Sequence, residues 1–187
     1  KTSNACYYQQ CAFCTHHGQV KYKEFKLEDI KQTIINSGQK RFFFIDDMIS
    51  KKRLLAIAEL IQPLNISWMC QLRPTKDLDK ETLETLYRSG LKIILWGVES
   101  GSDRILKLIR KGTNIKDIPL VLKNSQQAGI KNVLYIMFGF PTETEEEFNS
   151  NIKWVTGKTD NNTAILSDTN PHSEITWTLV KAEMDKL

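Results

Sequence analysis

The stretch SGLKIILW, residues 89–96, repeats its plan twice more along the chain, as SGQKRFFFI over 37–45 and AGIKNVLYIMF over 128–138. Each copy sets a small residue and a glycine ahead of one free position, then a lysine, one more residue and an apolar run. Gly38, Gly90 and Gly129 suit the left-handed conformation that ends a helix. The runs behind them are short, aromatic and β-branched, and continuous apolar runs of that length suit strands buried on both faces of a parallel sheet.

Helical periodicity fills the intervals. Leu27, Ile30, Ile34 and Ile35 share one helix face ending at Gly38, and Leu54, Ile57, Ala58 and Ile61 share another ahead of Pro63. Asp79 is placed to cap the helix that carries Leu83, Leu86 and Tyr87. A helix over 102–110 carries Ile105, Leu106 and Ile109 and stops at Gly112; one over 117–128 takes Pro119 in its first turn. Thr144 and Glu147 form a capping box, with Phe148, Ile152 and Val155 as the buried face behind it. Strands fit at 1–5, 41–46, 66–72, 92–97 and 131–138. Strand and helix therefore alternate, which calls for parallel strands with helical crossovers. A complete eight-unit barrel takes ~250 residues, so 187 leave room for about six units. The expected fold is α/β, an incomplete (β/α)6-type TIM barrel with outer helices; an open doubly wound sheet is the alternative. Residues 158–187 carry a weaker pattern, with strands fitting at 163–167 and 174–180. The chain reads as one domain over 1–187, and its opening on KTSNAC without methionine reads as a segment of something longer.

Composition narrows the function classes. The chain is 41% hydrophobic and 26% charged with a net charge of +4, and its lysines are scattered among acids. No basic block marks a nucleic-acid partner, and no apolar run approaches the ~20 residues of a membrane span. Three of the four cysteines stand in CYYQQCAFC, residues 6–14. Clustered thiols of this kind read as metal ligands in a reducing compartment, so the cytoplasm is the expected location.

Three thiolates are too many for one disulfide and one short of a closed tetrahedral zinc site. A structural zinc would take His16 or His17 as its fourth ligand; an iron–sulfur cluster held by three cysteines would keep one iron open. Ligands in either architecture bind at the carboxyl ends of the strands. Past the first strand come the cysteines, past the second Asp46 and Asp47, past the third Arg73, past the fourth Gly97 to Gly101, and past the fifth Gly139 to Thr142. Cys70, inside WMCQL, reads as a small buried hydrophobe.

CYYQQCAFC, FFFIDD, WGVESGSDRILKLIRKG and GFPTETEEEF, in that order and spacing, resemble the radical S-adenosylmethionine (SAM) superfamily. The likeness runs from Ala5 to Ile152 and is greatest to the core of members that also carry a cobalamin-binding domain. The resemblance implies that Cys6, Cys11 and Cys14 hold a 4Fe–4S cluster whose open iron is chelated by the amino and carboxylate groups of SAM. It implies Phe13 and the Gly139-Phe140-Pro141 turn near the adenine, Asp46 or Asp47 near the methionine ammonium, and Glu99 at the ribose hydroxyls. Arg73 would meet a carboxylate of SAM or of the substrate. One departure stands out: four residues separate the first two cysteines, where three are commonest. The implied activity is reductive cleavage of SAM to a 5′-deoxyadenosyl radical, leading to methyl transfer or rearrangement of a small molecule or peptide. An electron donor such as flavodoxin or ferredoxin is implied as a partner. The Asp-x-His-x-x-Gly cobalamin motif does not occur, so either cobalamin comes through a domain outside this segment or the protein works without it. Read on their own residues, a metal-stabilised binding module without turnover and an inactive fragment stand as alternatives.

Overall fold

The computed structural model describes residues 1–15, 20–156 and 162–166. The chain runs through β1 (Ser3–Asn4), β2 (Lys23–Glu24), α1 (Leu27–Ser37), β3 (Arg41–Phe44), α2 (Lys51–Ile61) and a short 3-10 turn over Gln62–Leu64. It continues through β4 (Ser67–Leu72), α3 (Lys80–Arg88), β5 (Leu91–Glu99), α4 (Asp103–Leu108), α5 (Ile118–Gln127), β6 (Lys131–Ile136), α6 (Glu145–Thr156) and β7 (Asn162–Leu166). Strands β3 to β7 form one five-stranded sheet in chain order, and every neighbouring pair is parallel. A doubly wound sheet reverses its strand order at a switch point. The described sheet has no reversal and does not close on itself, so it is the open arc of a barrel, as the alternation of elements implies.

The glycine-led junctions work as read from the sequence. Gly90 has φ +100°, and a Cβ there would lie 1.9 Å from the Ile66 carbonyl oxygen, so a side chain is barred both by conformation and by space. Helix starts also follow their caps: Ser50 accepts from the Arg53 amide, Asp79 from that of Thr82, and Ser102 from that of Ile105. The Thr144–Glu147 box is formed from both sides, at 3.0 and 3.3 Å.

The period of two along each strand separates two cores. Phe44, Trp68, Cys70, Ile94, Trp96 and Leu134 face outward, into one cluster with Leu54, Ile57, Leu83, Leu86, Leu106 and Val121 of the helices. Met69, Ile93, Leu95 and Val133, with Phe43 and Tyr135 against them, form the inner face. Leu83 and Leu86 are completely buried, and each such side chain stabilises the fold by about 1.5–3 kcal/mol. Cys70 is 0% exposed and burial pushes its thiol pKa up, which makes it the small hydrophobe that its setting suggested.

Four expectations need correction. The first strand, expected over 1–5, is two residues long and pairs antiparallel with β2, outside the parallel sheet. The reason lies in Asp46: its carboxylate accepts from the amides of Thr2 and Ser3 at 2.7–2.8 Å, and the Thr2 carbonyl accepts from the Phe25 amide. The groups that would have joined the sheet are thereby occupied. Ile35 is 48% exposed and Phe148 40%, so neither belongs to a buried helix face, although Phe148 packs on Phe138 at 5.1 Å between ring centroids. Strand β5 runs on to Glu99, where the sequence suggested an end at 97. The strand read at 163–167 is β7, Asn162–Leu166, the outer member of the sheet. The one read at 174–180, the side chains of Ile152 and Val155, and His16 and His17 lie outside what is described.

Candidate active site

The inner face of the sheet decides what stands at its carboxyl edge. Alternation that places Met69, Ile93, Leu95 and Val133 inside carries Gln71, Gly97, Glu99 and Tyr135 to the upper end of the same face. These residues wall a cleft of about 220 Å³, and Cys6, Cys11, Cys14, Tyr8, Phe13, Asp47, Met48, Arg73 and Lys111 close it from the loops. Among the described residues no group of three or more His, Cys, Asp or Glu side chains is set to hold a single metal ion. The three cysteines share this one cleft. Three thiols in one cleft are a donor set that an iron–sulfur cluster accepts.

Positive charge meets the thiols here. Lys111 Nζ donates to Glu99 Oε1 at 2.6 Å and lies 5.6 Å from the centroid of the Phe13 ring. Gly97 makes room for this pair, since a Cβ there would lie 2.8 Å from both charged atoms. Glu99 sits at φ +68°, a conformation that side chains other than glycine seldom adopt. Its carbonyl accepts from the Met137 amide at 2.8 Å, which fixes it to the end of β6. Burial pushes the Cys11 thiol up, opposed by Lys111 and then by neighbouring Arg73. Burial, with the Glu99 carboxylate adding to it, raises Tyr135 to about 12, so its phenol stays protonated at neutral pH.

The residues singled out in the sequence divide into three groups. Cys6, Cys11, Cys14, Phe13, Asp47, Arg73 and Glu99 come together around the cleft. Asp46 does not line it. The residue is 0% exposed, and its carboxylate accepts from four donors, the amides and hydroxyls of Thr2 and Ser3, with the hydroxyls at 3.0 and 2.7 Å. Its role is to anchor the segment that leads into the cysteine loop, and the expectation that it meets a ligand ammonium is set aside. Gly139, Phe140 and Pro141 also stand outside the cleft lining. Their turn closes on itself, with the Gly139 amide donating to Glu143 Oε2 at 2.7 Å and the Glu143 amide to the Phe140 carbonyl at 2.8 Å.

Lys111, Tyr8, Gln71 and Tyr135 were not singled out. For Gln71 and Tyr135 the signal was present, because both share the inward parity of Leu95 at the end of a strand. Lys111 reads in the sequence as a basic residue finishing a helix, and Tyr8 as spacer between ligands; only the tertiary fold shows where either points. Asn151 was missed too. Completely buried on α6, it accepts from the Gly101 amide at 2.6 Å and donates to Glu143 Oε1 at 2.8 Å, joining the turns after β5 and β6.

Residues 1–155 match the family model of the Radical SAM superfamily. An uncharacterized methyltransferase of Pyrococcus horikoshii is 28% identical over 163 residues, covering 82% of this chain and 35% of that protein. Bacteriochlorophyllide d C-12(1)-methyltransferase of Chlorobaculum tepidum is 28% identical over 156 residues, 78% of this chain and 34% of the relative. The chain thus spans about a third of the length of these curated relatives. Among solved structures, the radical S-adenosylmethionine methyltransferase TsrM of Kitasatospora setae, determined with cobalamin and a 4Fe–4S cluster bound, superposes with a TM-score of 0.73. That alignment covers 89% of this chain and 35% of TsrM at 19% identity, a likeness that shows the fold.

Proposed function

The chain belongs to the radical SAM superfamily, and on that premise we propose that it is the catalytic core of an enzyme that binds a 4Fe–4S cluster through Cys6, Cys11 and Cys14 and cleaves SAM reductively. One observation carries the reading: all three thiols, Glu99, Lys111 and Arg73 wall a single cleft at the carboxyl edge of a parallel sheet. A reduced 4Fe–4S cluster held by Cys6, Cys11 and Cys14 would supply the electron for reductive cleavage of the SAM sulfonium.

The protein's own groups bind, orient and shield. Three thiolates would carry negative charge, and Lys111 and Arg73 in the same cleft supply the opposite sign. Asp47, in the cleft wall, is placed to accept from an ammonium. A carboxylate offers about four acceptor sites, so Glu99 can hold Lys111 and still accept both ribose hydroxyls. Phe13, on the cleft rim, offers a flat apolar face to a base. Leu72, Leu95 and Met48 line the remainder and limit water around the reacting atoms.

Of the outcomes open to such a core, the two curated relatives named as methyltransferases favour methyl transfer. Cobalamin would then come from a part of the protein outside this segment, and the electron from a flavodoxin- or ferredoxin-type donor. Anaerobic reconstitution followed by dithionite and SAM tests the reading, with 5′-deoxyadenosine measured by chromatography. Cluster uptake and slow formation of 5′-deoxyadenosine without cobalamin are expected. Uptake of one zinc and no cluster would make the site structural. A bound cluster and bound SAM with no 5′-deoxyadenosine would mean that this segment needs the rest of its enzyme.

A further inference from the structure

Resting on that reading, we propose that Tyr8 and Arg73 form a clasp that positions the cysteine loop against the end of α4, and so sets the three sulfurs relative to the Glu99–Lys111 pair. The Arg73 guanidinium carbon lies 3.8 Å from the centroid of the Tyr8 ring. Arg73 Nη1 donates to the Lys111 carbonyl at 2.8 Å, and Tyr8 Oη donates to the Arg110 carbonyl at 2.9 Å. The two side chains thus hold successive carbonyls of the segment that delivers Lys111, while Tyr8 itself stands between two cysteines.

Three independent features are arranged around this contact. Arg73 is more than nine-tenths buried, and a cation over an aromatic face is held more strongly once desolvated. Gly112 leaves the space for it: at φ +68°, a Cβ there would lie 2.2 Å from Tyr8 Oη and 3.0 Å from Arg73 Nη1. The loop is bent to suit, with Ala5 at φ +58° and Gln9 at φ +46° on either side of the Cys6–Tyr8 segment. Left-handed conformations at residues other than glycine persist where surrounding contacts impose them. The fourth residue of the Cys6–Cys11 spacer therefore has a use here. It lengthens the loop enough for Tyr8 to turn inward onto Arg73 while the cysteines on both sides still face the cleft. A second tie, the Ala12 amide to the Ile109 carbonyl at 2.8 Å, holds the far side of the loop to the same helix end.

Arg73 is thereby a positioning residue, acting through Tyr8 and the Lys111 backbone. Small displacements of such supports matter because reacting groups must be held in near-attack geometry.

The test uses the full chain and two readouts. In the metal-free protein, hydrogen exchange at the Ala12 amide reports attachment of the loop whatever the site binds. In the reconstituted protein, SAM affinity and the change in the EPR spectrum of the reduced cluster on adding SAM report its placement. Tyr8→Ala and Gly112→Ala should each speed exchange at Ala12 and weaken SAM binding about tenfold, with the spectral response diminished and iron content unchanged. Tyr8→Phe, which keeps the ring on Arg73, should restore most of both. Arg73→Lys should also loosen the loop, and the two together should lose less than the sum of the single losses, because both remove the shared cation–ring contact. The proposal is overturned by unchanged Ala12 exchange in Tyr8→Ala, by faster exchange with unaltered SAM affinity, or by additive losses in the double variant. If the wild-type chain takes up no cluster or binds no SAM, the functional reading fails, while the exchange measurement still decides whether the clasp holds the loop.

Discussion

Lys111 Nζ stands 2.6 Å from Glu99 Oε1, with each side chain only 11% exposed, on the wall of the cleft that the three cysteines share. The pair links the end of β5 to the end of α4, twelve residues on. It also holds a glutamate in a left-handed backbone conformation, at φ +68°, so the carboxylate is oriented before any ligand arrives.

Removing one partner leaves the other charge in a poorly hydrated wall. Glu99→Gln and Lys111→Met should each lower the urea unfolding free energy by about 1.5–3 kcal/mol, the range for a charge-assisted hydrogen bond. The double variant should lose less than the sum. In the reconstituted protein, Glu99→Gln should weaken SAM binding without changing iron content; equal SAM affinity would give Glu99 a structural role alone.

The four thiols should separate cleanly. Changing Cys6, Cys11 or Cys14 to Ala should abolish cluster uptake, measured as iron and sulfide bound after reconstitution. Cys70→Ala should leave uptake intact, since Cys70 is buried in β4 on the outward face. It should cost only about 1 kcal/mol of stability, as a small cavity in the core.

Asp46→Asn should loosen the N-terminal segment. The Thr2 amide and hydroxyl and the Ser3 amide and hydroxyl all donate to this one carboxylate, and an amide side chain accepts them less strongly. A loss of about 1–3 kcal/mol is expected, together with faster hydrogen exchange over residues 2–4. Exchange unchanged there would show that β2 alone holds the strand.

Asn151→Ala should detach the two turns from one another. It leaves the Gly101 amide without its 2.6 Å acceptor, and a buried donor left unpaired costs about 1–3 kcal/mol. Exchange should rise at Gly101 and Gly139 together; a change at only one would break the link drawn between them.

Asp79 supplies a pH-dependent term. Lys51, at 2.7 Å, and then the Thr82 amide hold its pKa down at about 2, against the ~3.9 of an unperturbed aspartate. Because the folded value is depressed, its contribution is full above the unfolded pKa and is lost as pH falls through the folded one. Asp79→Ala should therefore cost about 1 kcal/mol at neutral pH as a lost helix cap. The difference from wild type should shrink between about pH 4 and pH 2. A difference that stays constant over that window would assign the effect to packing.

The sequence by itself determined the layering, because burial periodicity and turn chemistry are local. Glycine-led apolar runs became β3, β5 and β6, and the Asp79 cap and the Thr144–Glu147 box opened helices where expected. What only the tertiary structure decided was which polar groups face one another. Asp46 and Asp47 are adjacent and chemically identical, yet one turns down to hold Thr2 and Ser3 while the other lines the cleft. Neighbours in a chain leave in different directions, and only the position of β1 determines which of the two carboxylates meets the Thr2 and Ser3 donors. Lys111 and Tyr8 are the same case over longer range. Their partners Glu99 and Arg73 lie 12 and 65 residues away, and no local pattern encodes a contact that exists only once the loop of β1, the end of β4 and the end of α4 have met.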